Sequence, residues 1–281
     1  MGIEIQPNNA KKGPLSPEDL RAVQLIQVEM LAEVDRICRL HHINYAMIGG
    51  TMLGAIRHKG YIPWDDDADI GLLREEYEKF RKVCETDLDH ERFYFQDMRA
   101  TPGYRWGYGK IRRKNTYFLR EGQAHLPYDS GIFIDIFPFD SVPDGKLAEK
   151  MHNLHCTIIR KILWSEVGKK TDKNPMLRYV FSLLSLIPLG MVSNHLQHFA
   201  GKSNRKKYQR VRVLTFPARD NVSEGRREWY EKTVDYKFED LDLLGAESAD
   251  AYLKHKFGAY LTTPPESERK SHPVSYYKLL D

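Results

Sequence analysis

Of 281 residues only three are cysteines, Cys38, Cys84 and Cys156, and none stands in a C-x-x-C pair. That scarcity, with the odd number, excludes a disulfide framework and a structural zinc site, and leaves reduced, mostly buried thiols as the expectation. Long apolar runs are missing too. The longest, Tyr179 to Val192, covers 14 residues and is interrupted by Ser182, Ser185, Pro188 and Gly190, whereas about 20 are needed to cross a bilayer. Met1 to Pro14 lacks the apolar stretch of a secretory signal, and its Asn, Lys, Gly and Pro residues suggest a flexible lead-in through residue 15. These absences point to a cytoplasmic protein, at most peripheral to the inner face of the membrane, with no nucleic acid partner expected.

What is present suffices for a globular protein. A chain of this length with 41% hydrophobic residues buries a substantial core, read here as one composite domain over residues 16–281. The net charge of +4 is small, but it is unevenly spread: from Arg160 to Arg212 twelve Lys or Arg stand against Glu166 and Asp172. A basic segment around a short apolar run is either an interfacial element, attracted to anionic headgroups or a polyanionic acceptor, or a solvated helix pair covering a core. Either way residues 150–210 are expected to be a helical, basic insertion.

Ser16 followed by Pro17, Glu18 and Asp19 is a helix start, with a hydroxyl cap, proline at the first helical position and acids at the positive dipole end. Val23, Ile26, Met30, Val34 and Ile37 then give one apolar face, ending near His41-His42. Tyr45 to Ile48 reads as a short strand running into Gly49-Gly50, after which Thr51 is expected to cap a helix reaching about Lys59. Strand, glycine turn and helix form a phosphate-binding arrangement, because glycine lets the backbone approach an anion and free N–H groups point at it.

Next comes the densest cluster of the chain, Asp65, Asp66, Asp67 and Asp69, four carboxylates in five positions. Mutual repulsion raises the pKa of the least neutralised acid, so a site that keeps them ionised supplies divalent metal or strong donors. Asp67 and Asp69 alternate with small or apolar residues and, on a strand, would share a face. Asp135 interrupts another apolar strand, Gly131 to Asp140, where an unpaired carboxylate would be costly to bury. With the two strands adjacent, Asp67, Asp69 and Asp135 form a cup for Mg²⁺, a hard cation that takes oxygen ligands, and Mn²⁺ has the same preference. Lys110 and Arg112 share a face of the strand between, as candidates for holding phosphate. Tyr104, Trp106 and Tyr108 alternate just upstream, and Trp64 flanks the acids; aromatic walls of this kind hold quaternary ammonium groups.

The unbroken stretch from Gly49-Gly50-Thr51-Met52-Leu53-Gly54-Ala55 through Tyr61-Ile62-Pro63-Trp64-Asp65-Asp66-Asp67-Ala68-Asp69-Ile70 resembles the signature of the LicD family. Lys110-Ile111-Arg112, Phe133 to Pro138 and Gly258 to Pro265 resemble its later blocks. The resemblance runs from about residue 20 to 275 and is weakest between about 150 and 210. It departs at Arg113, where an acid is expected, and at Ala259 and Leu261.

The resemblance implies a nucleotidyltransferase-like α+β fold, a mixed sheet with flanking helices. It also implies metal-dependent transfer of a phospho-alcohol, phosphocholine above all, from a CDP-alcohol donor. The acceptor would be a hydroxyl of a glycan or lipid-linked glycan in teichoic acid, lipopolysaccharide or capsule synthesis. Fukutin-related ribitol-phosphate transferases are more distant relatives. By motif, the metal-binding acids fall on Asp67, Asp69 and Asp135, with Asp65 as a catalytic partner. Gly49, Gly50, Thr51, Lys110 and Arg112 would receive the donor, and Asp65 or Asp66 would take the hydroxyl proton. The alternative is a nucleotidyltransferase acting on a small molecule, protein or RNA with the same acids.

Overall fold

Phe133–Ser141 is buried along its whole length, as expected of a strand with sheet on both sides and cover on both faces. The computed structural model describes residues 9–218, 224–269 and 271–280, and places this strand inside the main sheet. The chain runs β1 (Lys11–Lys12), α1 (Pro17–Leu40), β2 (Ala46–Met47), α2 (Gly49–Arg57), β3 (Asp69–Leu73), α3 (Arg74–Val83), β4 (Phe93–Gln96), β5 (Gly109–Arg113), β6 (Tyr117–Arg120) and β7 (Phe133–Ser141). It continues with α4 (Lys146–Thr171), α5 (Pro175–Leu184), α6 (Leu189–Ser203), β8 (Arg210–Arg212), β9 (Glu224–Arg226), α7 (Glu228–Glu231), β10 (Thr233–Phe238), β11 (Leu241–Ala246), α8 (Ala249–Phe257) and β12 (Val274–Lys278).

The main sheet is ordered β10-β11-β2-β3-β7-β5-β4, with β8 on β7 and β9 on β8. It is mixed: β3 pairs parallel with β7, while β5 pairs antiparallel with β7 and β2 antiparallel with β3. The expected α+β architecture is therefore the observed one. Pro138, which cannot donate a ladder hydrogen bond, falls beyond Ile136, the last β7 residue that β5 pairs with. A smaller sheet, β1-β12-β6, stands beside the first. It draws Lys11–Lys12, expected in a loose lead-in, into pairing with Tyr276 and Tyr277; residues 1–8 of that lead-in lie outside the described residues.

α1 begins as its sequence dictates, with Ser16 extended and its hydroxyl accepting from Asp19 N–H at 3.1 Å. Its apolar face is buried, and two glutamines on the same face brace the acidic loop: Gln24 Nε2 donates to Asp65 O at 2.9 Å, and Gln27 Nε2 to Asp66 O and Phe133 O, both at 3.0 Å. The short strand before the glycines is only Ala46–Met47. α2 starts at Gly49, earlier than expected, because Gly49 takes φ +55° and turns the chain directly into the helix behind Ile48. Thr51 therefore lies inside the first turn and caps nothing; its hydroxyl accepts from Asp69 N–H at 2.8 Å.

Cys38, Cys84 and Cys156 are buried and free. α4 and α6 share a second apolar core of Cys156, Ile159, Leu163, Val192, Leu196 and Ala200. Among the described residues no single helix is long and apolar enough to cross a membrane; α5 and α6 together have the length and composition but meet at 83°.

Candidate active site

Strand register builds the centre of the site. Asp69 stands opposite Asp135 across the β3–β7 pair, and Asp135 opposite Lys110 across β7–β5. Acid, acid and base therefore lie in one row across three adjacent strands. The Lys110 ammonium pairs with Asp135 in a nearly sealed contact and sits 3.4 Å from the Phe133 ring centroid. Burial brings the Lys110 ammonium down to about 8, against the upward pull of Asp135. The row forms part of the wall of a cavity of about 1040 Å³, which Asp65, Asp67, Gly49 and Gly50 also line.

Asp67 does not share a strand with Asp69, as the alternation suggested, because β3 begins only at Asp69. Asp67 reaches the cavity from the loop before it. Burial pushes the Asp65 carboxyl up to about 7, helped by Asp67 and Asp66. Burial also raises Asp69 well above the ordinary range, with Asp67, Asp135 and Asp65 adding to it. Asp67 is raised by burial as well, though His272 and Arg120 oppose the shift. Asp66 goes the other way: burial would raise it, but the His272 hydrogen bonds and the Arg120 charge bring it below its usual value.

Asp66 is thus a structural acid. It is fully buried, pairs with Arg120, and accepts from His272 N–H at 3.2 Å, with His272 Nδ1 at 2.9 Å. Both cations also reach Asp67, Arg120 Nη2 at 3.5 Å and His272 Nδ1 at 3.2 Å. Arg120 escaped the sequence reading because nothing in its local pattern marks it; it lies 54 residues from Asp66. The structure likewise brings His272, 206 residues from Asp66 in the chain, directly to the acids.

The glycines do something other than cradle an anion alone. A Cβ on Gly49 would stand 3.2 Å from Asp69 Oδ2, and one on Gly50 would overlap the Asp65 carboxylate. Their absence lets the N-terminus of α2, the positive end of its dipole, close on two carboxylates. Gly49 N–H is already spent on the Tyr252 hydroxyl at 2.7 Å, so the backbone donors left at this turn are those of Gly50 and Thr51. Thr51, bonded to Asp69 N–H, is 3% exposed and supports β3 from behind. Arg112, expected to hold phosphate, has two donors committed to the protein: Nε donates to Gln96 Oε1 and Nη1 to Gly131 O, each at 2.6 Å. It lines the cavity as a fixed charge.

Trp106 and Tyr108 line the cavity together with Phe137, Trp164 and Phe216. Their ring centroids lie 4.5 Å apart for Tyr108–Phe137 and 5.7 Å apart for both Trp106–Trp164 and Tyr108–Phe216. Tyr104 and Trp64 do not join them. Tyr104 is fully buried against Tyr128, and Trp64 faces the Arg269 guanidinium at 4.8 Å.

The donor set suits a hard divalent cation: oxygen ligands, crowded and buried, with their charge only partly met by Lys110, Arg120 and His272. Asp67, Asp69 and Asp135 share the cavity wall. The donors whose ligand atoms all converge within 4.8 Å of one another are Asp66, Asp67 and His272, while Asp135 is drawn toward Lys110.

The family model for the LicD/FKTN/FKRP nucleotidyltransferase domain matches residues 42–162. Over those residues the chain is similar to a LicD-type domain. That span contains the glycine turn, the acid loop and the Lys110–Asp135 pair, while His272 and Tyr252 reach the site from beyond it. The chain is similar to the lipopolysaccharide cholinephosphotransferase LicD of Haemophilus influenzae, with 28% identity over 262 residues, 91% of this chain and 96% of that protein. Shorter similarities link it to uncharacterized proteins of Rickettsia typhi, 36% over 63 residues (22% of this chain, 20% of that one), and of Rickettsia prowazekii, 39% over 74 residues (26% of each).

Proposed function

We propose that this chain is a phosphotransferase that moves phosphocholine from CDP-choline to a hydroxyl of a cell-surface glycan precursor, with lipopolysaccharide as the first acceptor to test. The observation that carries the reading is the Asp69–Asp135–Lys110 row in a cavity walled on another side by aromatic rings. A polyanion's charge is met at one end and a quaternary ammonium's at the other. The similarity to a lipopolysaccharide cholinephosphotransferase over nearly the whole chain supports the same choice.

In this reading Lys110 and Arg120 supply fixed positive charge to the donor pyrophosphate, and Gly50 N–H approaches it from the α2 terminus. Asp67, Asp69 and Asp135 would hold Mg²⁺ or Mn²⁺, which would supply positive charge against that developing on the phosphates. Asp65, lining the cavity, accepts the acceptor's hydroxyl proton. Asp66 does not, since Arg120 and His272 occupy its oxygens. Trp106 and Tyr108, with Trp164, Phe137 and Phe216, face the trimethylammonium group, each ring worth about 0.5–2 kcal/mol.

The test is CMP release from CDP-choline, CDP-glycerol and CDP-ribitol, with Mg²⁺ or EDTA, in the presence of a lipid-linked glycan acceptor. Mg²⁺-dependent CMP from CDP-choline is expected, and its loss in Asp67→Asn and Asp69→Asn with the fold retained. Pyrophosphate release with the nucleotide left on the acceptor would replace this reading with nucleotidyl transfer. Undiminished activity in both Asn variants would remove the metal assignment.

A further inference from the structure

Phe181 is the buried residue of α5, and it sits against Gly168 of α4, where a Cβ would stand 2.5 Å from its ring. Every other position from Pro175 to Leu183 is exposed. These include Met176 at 74%, Tyr179 at 66% and Leu183 at 51%, with Leu177 and Val180 beside them. The elbow after α5 continues the surface with Leu186, 77% exposed. A helix at a water-facing surface hides its apolar stripe and wets a polar one. α5 does the reverse: Phe181 is the one side chain it buries, and its other apolar side chains face outward.

The surface extends beyond α5. Leu147, Met151, Leu154 and Ile158 step by four and three residues along α4 and are all exposed, so they form one stripe. Ile158 also lines an apolar groove of about 280 Å³ between α4 and the start of α6, with Ile162, Ile187 and Met191. Stripe, groove and elbow are thus continuous, and the patch far exceeds the scattered apolar exposure of an ordinary surface.

Charge identifies what covers it. Between residues 160 and 184 six Lys or Arg stand against Glu166 and Asp172. Glu166 is bound by Lys169 at 2.9 Å, and Asp172 accepts from Asn174 N–H at 2.9 Å. Lys161, Lys170, Lys173 and Arg178 are exposed and, among the described residues, make no ion pair. Apolar side chains ringed by unneutralised cations complement the acyl boundary and phosphate level of an anionic bilayer, where long basic side chains bury their stems and keep their charge at the headgroups. α4 meanwhile lines the catalytic cavity with Trp164, Val167 and Thr171, so what seats one face of this helix positions the other.

We infer that α5, its elbow and the outer stripe of α4 seat the protein on an anionic phospholipid bilayer, lying in one leaflet without crossing it. The wall of the catalytic cavity is thereby held at the membrane surface, where a lipid-borne acceptor is found. The membrane seat rests on this surface alone, and only the placing of a lipid-borne acceptor beside the cavity rests on the transferase reading.

Flotation of the full chain with phosphatidylcholine vesicles, with and without phosphatidylglycerol, tests it in the absence of any donor. Binding to the anionic vesicles is expected, weakening as salt rises and falling at least about tenfold in Leu183→Glu/Leu186→Glu. Circular dichroism and CMP release with a water-soluble acceptor serve as controls that this pair of outward-facing substitutions leaves unchanged. Failure of the wild type to float, or equal flotation by the variant, overturns the proposal. So does a dimer that the same substitutions dissociate, because a second copy would then be the occupant. Flotation without CMP release from any donor would sink the transferase reading and leave the membrane surface standing.

Discussion

Lys110 on β5 and Asp135 on β7 face each other in strand register, and their side chains form an ion pair almost wholly withdrawn from water. Removing one partner strands the other. Lys110→Met is expected to lower unfolding free energy by about 3–5 kcal/mol, because a buried carboxylate loses its cation. Lys110→Met/Asp135→Asn, which removes both charges, is expected to recover most of that loss while remaining inactive. Urea denaturation of the two variants beside CMP release separates the structural from the chemical share; equal instability in both would mean the pair does not act as a unit.

A glycine inside α2 gives a second expectation. A Cβ on Gly54 would overlap the Gly60 carbonyl oxygen and stand 3.4 Å from Ile62 N, both backbone atoms of the turn that carries the chain to the acids. Gly54→Ala should therefore destabilise by about 1–3 kcal/mol, despite alanine's helix preference. Gly190→Ala on α6, with nothing within 4 Å, should be neutral or stabilise by about 0.5–1 kcal/mol. Thermal melts of the two variants check the contrast.

Donor choice should follow the aromatic wall. Tyr108→Leu is expected to raise KM for CDP-choline about 2- to 30-fold, the equivalent of one cation–π contact. KM for CDP-glycerol, which carries no ammonium group, should stay within about twofold. An equal rise for both donors would show that Tyr108 serves only to pack Phe137 and Phe216.

His152 supplies a pH dependence far from the acids. Burial and the nearby Arg212 charge bring its imidazole from 6.5 down to about 4. Because the folded value lies below the unfolded one, the neutral ring favours the fold. Its contribution is complete above about pH 6.5 and is lost as pH falls toward 4. The urea midpoint should thus decline across that window, and less steeply in His152→Gln. Parallel curves for the two proteins would show that His152 is protonated alike in both states.

Features with a local cause were legible in the chain. Ser16 and Pro17 start a helix because capping acts within one turn, and Asp135 stands out because its charge interrupts an apolar strand, while Asp69 is marked by the acids crowded around it and Lys110 by its alternation with Ile111. Of the basic stretch expected to be helical over 150–210, α4, α5 and α6 occupy most of the chain as far as Ser203, and the remainder leads into β8. What escaped depends on contacts across the fold. Arg120 and His272 reach Asp66 over 54 and 206 residues, and Arg112 commits two of its donors to Gln96 and Gly131. Thr51 was misplaced as a cap because a positive φ at Gly49 is invisible in a sequence where Gly-Gly also makes ordinary turns.

The position of β7 has a consequence for how the site comes into being. β3 and β5 are not neighbours; β7 lies between them and follows both in the chain, about 60 residues after β3. Until it inserts, Asp69 and Lys110 belong to separate sheet edges and Asp135 to neither. Pairings so distant in sequence form slowly, since loop closure precedes any reward. A chain emerging from the ribosome therefore holds no assembled centre until β7 is out and seated.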